Sequence, residues 1–295
     1  VGKMAGDVRV VQPGGGTATM LKAALPVVPG VNQLPGVRKA GGDLPDLTLR
    51  REGVRVERGQ VDRYAAVCGF PSKDVAPVPY LHMLAFPLHM ALMTDPSFPF
   101  PAIGTVHLEN AITQHRPVAV GETVSLELRA RNLRASTKGR AFDMAVTATV
   151  GDEVVWESVS TYLRLGGGDK EHGDPGTSFP AVEATAPEWR LPGDLGRRYA
   201  AVSGDHNPIH LYPLTAKAFG FPRHIAHGMW TKARCIAALE NRLPDAVRVE
   251  VGFKKPVFLP GKVRFGAERT DAGWAFALTS PRSSAPHLLG RTTSP

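Results

Sequence analysis

The sequence predicts an α+β chain made of two copies of one unit, each a helix followed by an antiparallel meander. The first sign is an internal repeat. Arg63-Tyr64-Ala65-Ala66-Val67-Cys68-Gly69 returns as Arg198-Tyr199-Ala200-Ala201-Val202-Ser203-Gly204, an offset of 198 − 63 = 135 residues. That spacing is too long for a solenoid and marks a domain-sized unit. The second is that each copy is followed by an apolar, helix-like run, and then by segments in which branched and aromatic residues alternate with polar ones. The third is residues 166–176, GGGDKEHGDPG, which break every period between the copies.

The elements follow in order. Residues 1–45 are rich in Gly, Pro and Val and show little period. They read as a partly irregular N-terminal extension, with part of it strapped over the surface and its beginning disordered. The first unit occupies 46–165. Its helix is expected over 84–93, with Pro87 tolerated only near the first turn. Its strands are expected at 105–117, 123–133, 141–150 and 154–165. A Gly/Pro-rich linker spans 166–180. The second unit, 181–295, repeats the order with a helix over 226–243, strands at 247–257, 262–270 and 274–280, and a short terminal piece. Phe86-Pro87 answers Phe221-Pro222 and His89 answers His224, again 135 apart. Arg116-Pro117-Val118 answers Lys255-Pro256-Val257 at 139.

Bulk properties narrow the class. With 295 residues, 43% hydrophobic and 21% charged, the chain can bury one large core or two fused ones. No run approaches the roughly 18–20 apolar residues of a membrane-spanning helix. The first residues lack the apolar core of a signal peptide, and Met4 is expected to be the native start. Two cysteines make neither a disulfide framework nor a metal set, so a reducing, cytoplasmic setting is expected. Cys68 is placed in the first repeat's turn and Cys235 on a helix. The net charge of +8 is spread among acidic residues rather than gathered in one stripe, which argues against nucleic acid. It suits a smaller anion.

The chemistry concentrates in Ser203-Gly204-Asp205-His206-Asn207-Pro208-Ile209-His210. A carboxylate and an imidazole stand five positions apart, and Gly204, Asn207 and Pro208 shape the turn between them. Asp205 and His210 facing one pocket would form a general acid/base pair; a polar turn with Asp205 capping a helix is the structural alternative. The longer run YAAVSGDHNPIHLYPLTA resembles the signature of the MaoC-like hydratases, the (R)-specific or type 2 enoyl-CoA hydratases. Residues 221–229, FPRHIAHGM, resemble that family's second segment, where its central helix begins.

The resemblance implies a double hotdog, two long helices wrapped by antiparallel sheets that pair into one. It implies reversible hydration of a trans-2-enoyl thioester to a (3R)-3-hydroxyacyl thioester. Asp205 and His210 would be catalytic, the Gly228 backbone N–H would be the oxyanion donor, and Ser203, Gly204 and Asn207 would support the loop. His227, Lys254 and Lys255 are assigned to substrate binding. No metal or cofactor is expected, because coenzyme A or phosphopantetheine belongs to the substrate. The Asp205, His210 and His227 spacing is not that of a usual ligand set. The partner is an acyl-CoA or acyl carrier protein thioester, with the chain a monomeric double hotdog or a homodimer. The alternatives are a carrier-protein dehydratase, a thioesterase or a binder without turnover. At the 135-residue offset Asp205 maps to Phe70, Asn207 to Ser72, His210 to Val75 and Gly228 to Met93, so the first unit is expected to be catalytically silent. Part of residues 77–90, a segment apolar and little charged, is expected to line an acyl tunnel. His206 and His224 are expected in turns or at the surface, and His82, His89, His107 and His115 carry no assignment.

Overall fold

The computed structural model describes residues 7–11, 42–102 and 104–295. Most of the N-terminal extension, and with it the expected strap and disordered start, lies outside the described residues. Residues Asp7–Val10 (β1), read as part of that extension, form a strand paired in parallel with Leu47–Arg55 (β2).

In the first unit, β2 leads into Arg58–Cys68 (α1) and Tyr80–Thr94 (α2). The strands Thr105–Gln114 (β3), Thr123–Ser136 (β4), Gly139–Val150 (β5) and Glu153–Leu165 (β6) follow. The second unit repeats this with Trp189–Leu191 (β7), Leu195–Ser203 (α3), Pro213–Ala218 (α4) and Gly228–Leu239 (α5). Its meander is Val247–Phe253 (β8), Gly261–Thr270 (β9), Gly273–Thr279 (β10) and Pro286–Thr293 (β11). Among the described residues these strands form one eleven-stranded sheet, ordered β1-β2-β4-β5-β6-β3-β8-β11-β10-β9-β7. This is the double hotdog.

Period decides which faces are buried. In β4, Val124, Leu126 and Leu128 point inward at 1% exposure or less, with less buried residues between them. Twelve of the fifteen α2 residues are buried, as a helix wrapped by a sheet requires. The helix starts earlier than the pattern 84–93 suggests, which puts Pro87 in its interior. A proline there removes an i to i−4 hydrogen bond. Arg51 Nη1 brings a donor to the adjacent Leu84 carbonyl at 2.8 Å.

The units meet where β3 pairs with β8, Asn110 opposite Val251. Lys232 of α5 lies fully buried beneath this seam. Its Nζ donates to the Asn110 carbonyl (3.1 Å), Asn110 Oδ1 (2.6 Å) and the Val249 carbonyl (3.0 Å). Three donors meet three acceptors, the condition for keeping an amine in a core. Two of those acceptors belong to the first unit. α5 also reaches α1, since Trp230 Nε1 donates to the Val67 carbonyl at 3.0 Å. Without the first unit, the second would lose both contacts and the cover on its sheet edge.

The repeat holds at 135 only as far as the glycine that ends α1 and α3. Gly69 and Gly204 close those helices alike, each N–H donating to the carbonyl four residues back. Cys68 is therefore the last residue of a helix, not part of a turn. Beyond it the register changes. Ala76 N–H donates to the Val118 carbonyl as Ala226 N–H does to Val257, an offset of 226 − 76 = 150. Gly228 thus corresponds to Val78 and not to Met93, and the second unit carries 150 − 135 = 15 residues that the first lacks. Those extra residues fall in the stretch that bears Asp205 and His210. The first unit has not exchanged Asp205 and His210 for Phe70 and Val75; it lacks the segment that would hold them. With that segment present once, the enoyl thioester expected from the sequence should find one site per chain: titration with a tight, unreactive analogue should saturate at one equivalent, and two equivalents would contradict this.

The linker is anchored to the first unit. Arg134 Nε meets Asp174 at 2.6 Å, and Thr177 donates to Glu109 through its backbone and hydroxyl. Both cysteines are free and buried; burial pushes the Cys68 thiol up to about 12 and raises Cys235 as well. None of the described helices is long and apolar enough to cross a membrane.

Candidate active site

A chain of side-chain turns sets the loop. α3 ends at Gly204, whose φ of 75° is left-handed and favours glycine. Ser203 Oγ accepts from Asp205 N–H (3.2 Å), Asp205 Oδ1 from Asn207 N–H (3.1 Å), and Asn207 Oδ1 from Ile209 N–H (3.4 Å). The last contact caps the short 3-10 turn Pro208–His210. Ser203, Gly204 and Asn207 are thus the braces of the loop. Gly196 is a further one that motif reading missed. A Cβ there would lie 1.9 Å from the His210 carbonyl oxygen, so α3 can approach the loop only without a side chain.

His210 is buried, and its Nδ1–H donates to the Ile225 carbonyl at 2.8 Å. That bond selects the tautomer and leaves the Nε2 lone pair free. Burial lowers the proton affinity of His210, and the Asp205 carboxylate offsets part of this. His227 stacks on His210 with centroids 3.8 Å apart, and its Nε2 donates to the Asp205 backbone carbonyl at 2.9 Å. Burial, then the neighbouring His210, holds His227 well below the ordinary imidazole range. Asp205, His210 and His227 each place a ligand-type atom within 4.8 Å of the others. Each ring has already committed one nitrogen to a carbonyl, which leaves one open nitrogen per ring.

These groups open onto a cavity of about 390 Å³. Asp205, His210 and Gly228, the first residue of α5, line it. Among the described residues the Gly228 N–H has no protein partner, as expected in the first turn of a helix. A Cβ on it would press on the Phe253 ring at 3.2 Å. Met83, Phe86 and Met90, from the segment expected to line a tunnel, face the same space, as does Met93. Lys254, Lys255 and His287 also border it, the two lysines exposed. The sequence therefore brings its chosen residues together. It errs on His224, which is buried with Nε2 on the Gly193 carbonyl at 2.7 Å, and it gave no role to His82 and His107, which also line the cavity.

Comparison with known proteins decides the family. Residues 183–279 match the model of the MaoC like domain. The 3-hydroxyacyl-thioester dehydratase X of Mycobacterium tuberculosis is 40% identical over 95% of this chain and 98% of its own length. The chain belongs to the MaoC-like dehydratases. These are hydro-lyases, and the crystal structure of the Mycobacterium tuberculosis protein HtdX superposes on this MaoC-like chain with a TM-score of 0.74. That comparison has 40% identity and covers 84% of this chain and 100% of HtdX. A shorter relative, the (R)-specific enoyl-CoA hydratase of Aeromonas caviae, is 37% identical over 24% of this chain and 57% of its own.

Proposed function

We propose that this MaoC-like chain adds water reversibly to a trans-2-enoyl thioester, giving a (3R)-3-hydroxyacyl thioester, and that Asp205, His210 and Gly228 carry the reaction. The observation that supports this best is the Asp205 carboxylate and His210 imidazole within 4.8 Å of each other. A single water can be held by both across that gap. His210 Nε2 takes a proton from this water as its oxygen forms the bond to C3. The imidazolium so formed sits beside the Asp205 carboxylate, which stabilises it. The electron pair of the C2–C3 double bond moves toward the thioester carbonyl, whose oxygen accepts from the Gly228 N–H at the positive end of α5. Return of the proton from His210 to C2 completes the addition on one face. Dehydration runs the same steps backwards.

No step needs a metal or cofactor. His227 holds the Asp205 backbone in place, and exposed Lys254 and Lys255 provide positive charge for the phosphates of coenzyme A or phosphopantetheine. Mixing the protein with crotonyl-CoA and a longer enoyl-CoA, with EDTA present, should bleach the conjugated-enoyl absorbance without releasing thiol. Thiol release would indicate a thioesterase, and unchanged absorbance a binder without turnover. Repeating the assay on enoyl-acyl carrier protein tests the carrier-protein dehydratase reading.

Two further outcomes follow from the geometry. Neutral His210 is the competent base, and burial places its titration below the ordinary value of 6.5. Turnover should therefore hold as pH falls through 6.5 and decline only below it. An acid limb centred at or above 6.5 would count against His210 as the base. The Met83, Phe86 and Met90 side of the cavity suits an alkyl tail. With about 0.8 kcal/mol per buried methylene, kcat/KM should rise by about two orders of magnitude from four-carbon to eight-carbon substrates. A flat or falling series would mean a closed, short-chain pocket.

A further inference from the structure

Helix α4 stands out from the surface beside the cavity. It lies within the stretch that is longer in the second unit, between Ile209 and Phe221, which both line the cavity. Thr215 Oγ1 donates to the Pro208 carbonyl at 2.6 Å and Phe221 N–H to the Ala216 carbonyl at 3.1 Å, so the segment is fixed to the loop that carries Asp205 and His210. Seven of the nine residues 212–220 are nevertheless exposed. Tyr212, Leu214 and Phe219 are 51%, 79% and 39% exposed, three of the eight large apolar side chains exposed among the described residues. Apolar residues exposed singly are ordinary, but three within one short segment mark a contact surface. The first unit makes the same connection without a counterpart of α4, so the fold does not require them. The flanks are basic. Arg197 lies over the Tyr212 ring at 4.8 Å and donates to the Leu211 carbonyl at 2.9 Å, Lys217 belongs to α4, and exposed Arg223 follows. Among the described residues none of these three is in an ion pair, whereas Arg50, Arg58, Arg116 and Arg134 elsewhere are. From Leu195 to Arg223 the only carboxylate is that of Asp205, which lines the cavity.

We propose that α4 and its flanks dock on an anionic lipid surface. Tyr212, Leu214 and Phe219 enter the headgroup boundary, while Arg197, Lys217 and Arg223 meet the lipid phosphates. Shape and charge favour a bilayer over other occupants. A partner protein commonly receives a helix in a groove or offers one, whereas α4 is a six-residue projection that carries its apolar side chains outward. A second copy of this chain, with a net charge of +8, would bring the same basic flanks face to face. One and a half turns give a shallow, reversible attachment. Because Ile209 and Phe221 flank α4, the attached face adjoins the cavity.

Sedimentation of the full chain with vesicles tests this, using phosphatidylcholine alone and a phosphatidylcholine–phosphatidylglycerol mixture. The protein should partition onto the anionic vesicles only, and less as salt rises. Lys217→Gln should weaken partitioning by about fivefold, the scale of one basic residue at an anionic surface. Leu214→Ser should weaken it by a similar factor through lost apolar burial. Both side chains are exposed, so the thermal melt should not move. Lys138→Gln is the control: it removes the same charge from the exposed turn between β4 and β5 and should change little. Absence of partitioning onto anionic vesicles overturns the proposal. An equal loss in Lys138→Gln also overturns it, since diffuse attraction by the net charge would then suffice, as does partitioning that Leu214→Ser leaves intact. The same variants are followed for self-association by sedimentation velocity and for binding to an acyl carrier protein. Either contact, sensitive to Leu214→Ser while vesicles are ignored, would give the face to a protein instead.

Discussion

His210→Ala is expected to lower turnover by about a hundredfold or more, the scale of a lost acid/base group, and Asp205→Asn by about as much, because it removes the charge that stabilises the His210 imidazolium. The loop should survive both changes. An asparagine at 205 still offers an oxygen to the Asn207 N–H, which Asp205 Oδ1 now accepts at 3.1 Å. The backbone bonds that anchor the loop, Ile225 N–H to the Ile209 carbonyl and His210 N–H to the Asn207 carbonyl, do not involve the removed imidazole. Turnover measured beside a thermal melt separates chemistry from folding. A folded variant with near-wild-type turnover would show that the residue is not part of the acid/base pair.

Gly228→Pro should cost about 10²–10³-fold in kcat, as loss of one oxyanion donor does elsewhere. Proline removes the N–H outright, yet it suits the first position of a helix. The residue before it also fits, since His227 is extended at φ −64° and ψ 137°, the region favoured ahead of proline. Gly228→Ala is the control. It keeps the N–H and adds only a Cβ that meets the Phe253 ring at 3.2 Å, a contact a ring can relieve by a small shift. The expected order of turnover is wild type, then alanine, then proline. Equal losses in the two variants would assign the glycine to packing against Phe253 instead.

Much of this was legible in the residues because local chemistry dictated it. The strands of both meanders follow from alternation, and β4 to β6 lie within three residues of the expected bounds. The dyad could be read because Gly204, Asn207 and Pro208 leave the chain few ways to turn between Asp205 and His210. Other features have no local signature. The α2 helix begins at Tyr80 and continues through Pro87, because burial on all sides outweighs the lost hydrogen bond. The repeated heptad Arg63–Gly69 and its copy carry no helix expectation in the sequence, although each supplies the end of a helix, α1 and α3. The 150-residue register after Gly204 was hidden by chance likenesses such as Phe86-Pro87 and Phe221-Pro222, which the fold places in a helix and in the loop before one. The contribution of His82 and His107 to the cavity depends on how the two units pair, which no single segment records.

The most direct test of the proposed reaction is to incubate the protein with a trans-2-enoyl-CoA in ¹⁸O-labelled water and locate the label. The Asp205–His210–Gly228 account predicts one ¹⁸O on C3 of a (3R)-3-hydroxyacyl thioester, with the thioester bond intact. Label in a free carboxylic acid, or a (3S) product, would contradict it.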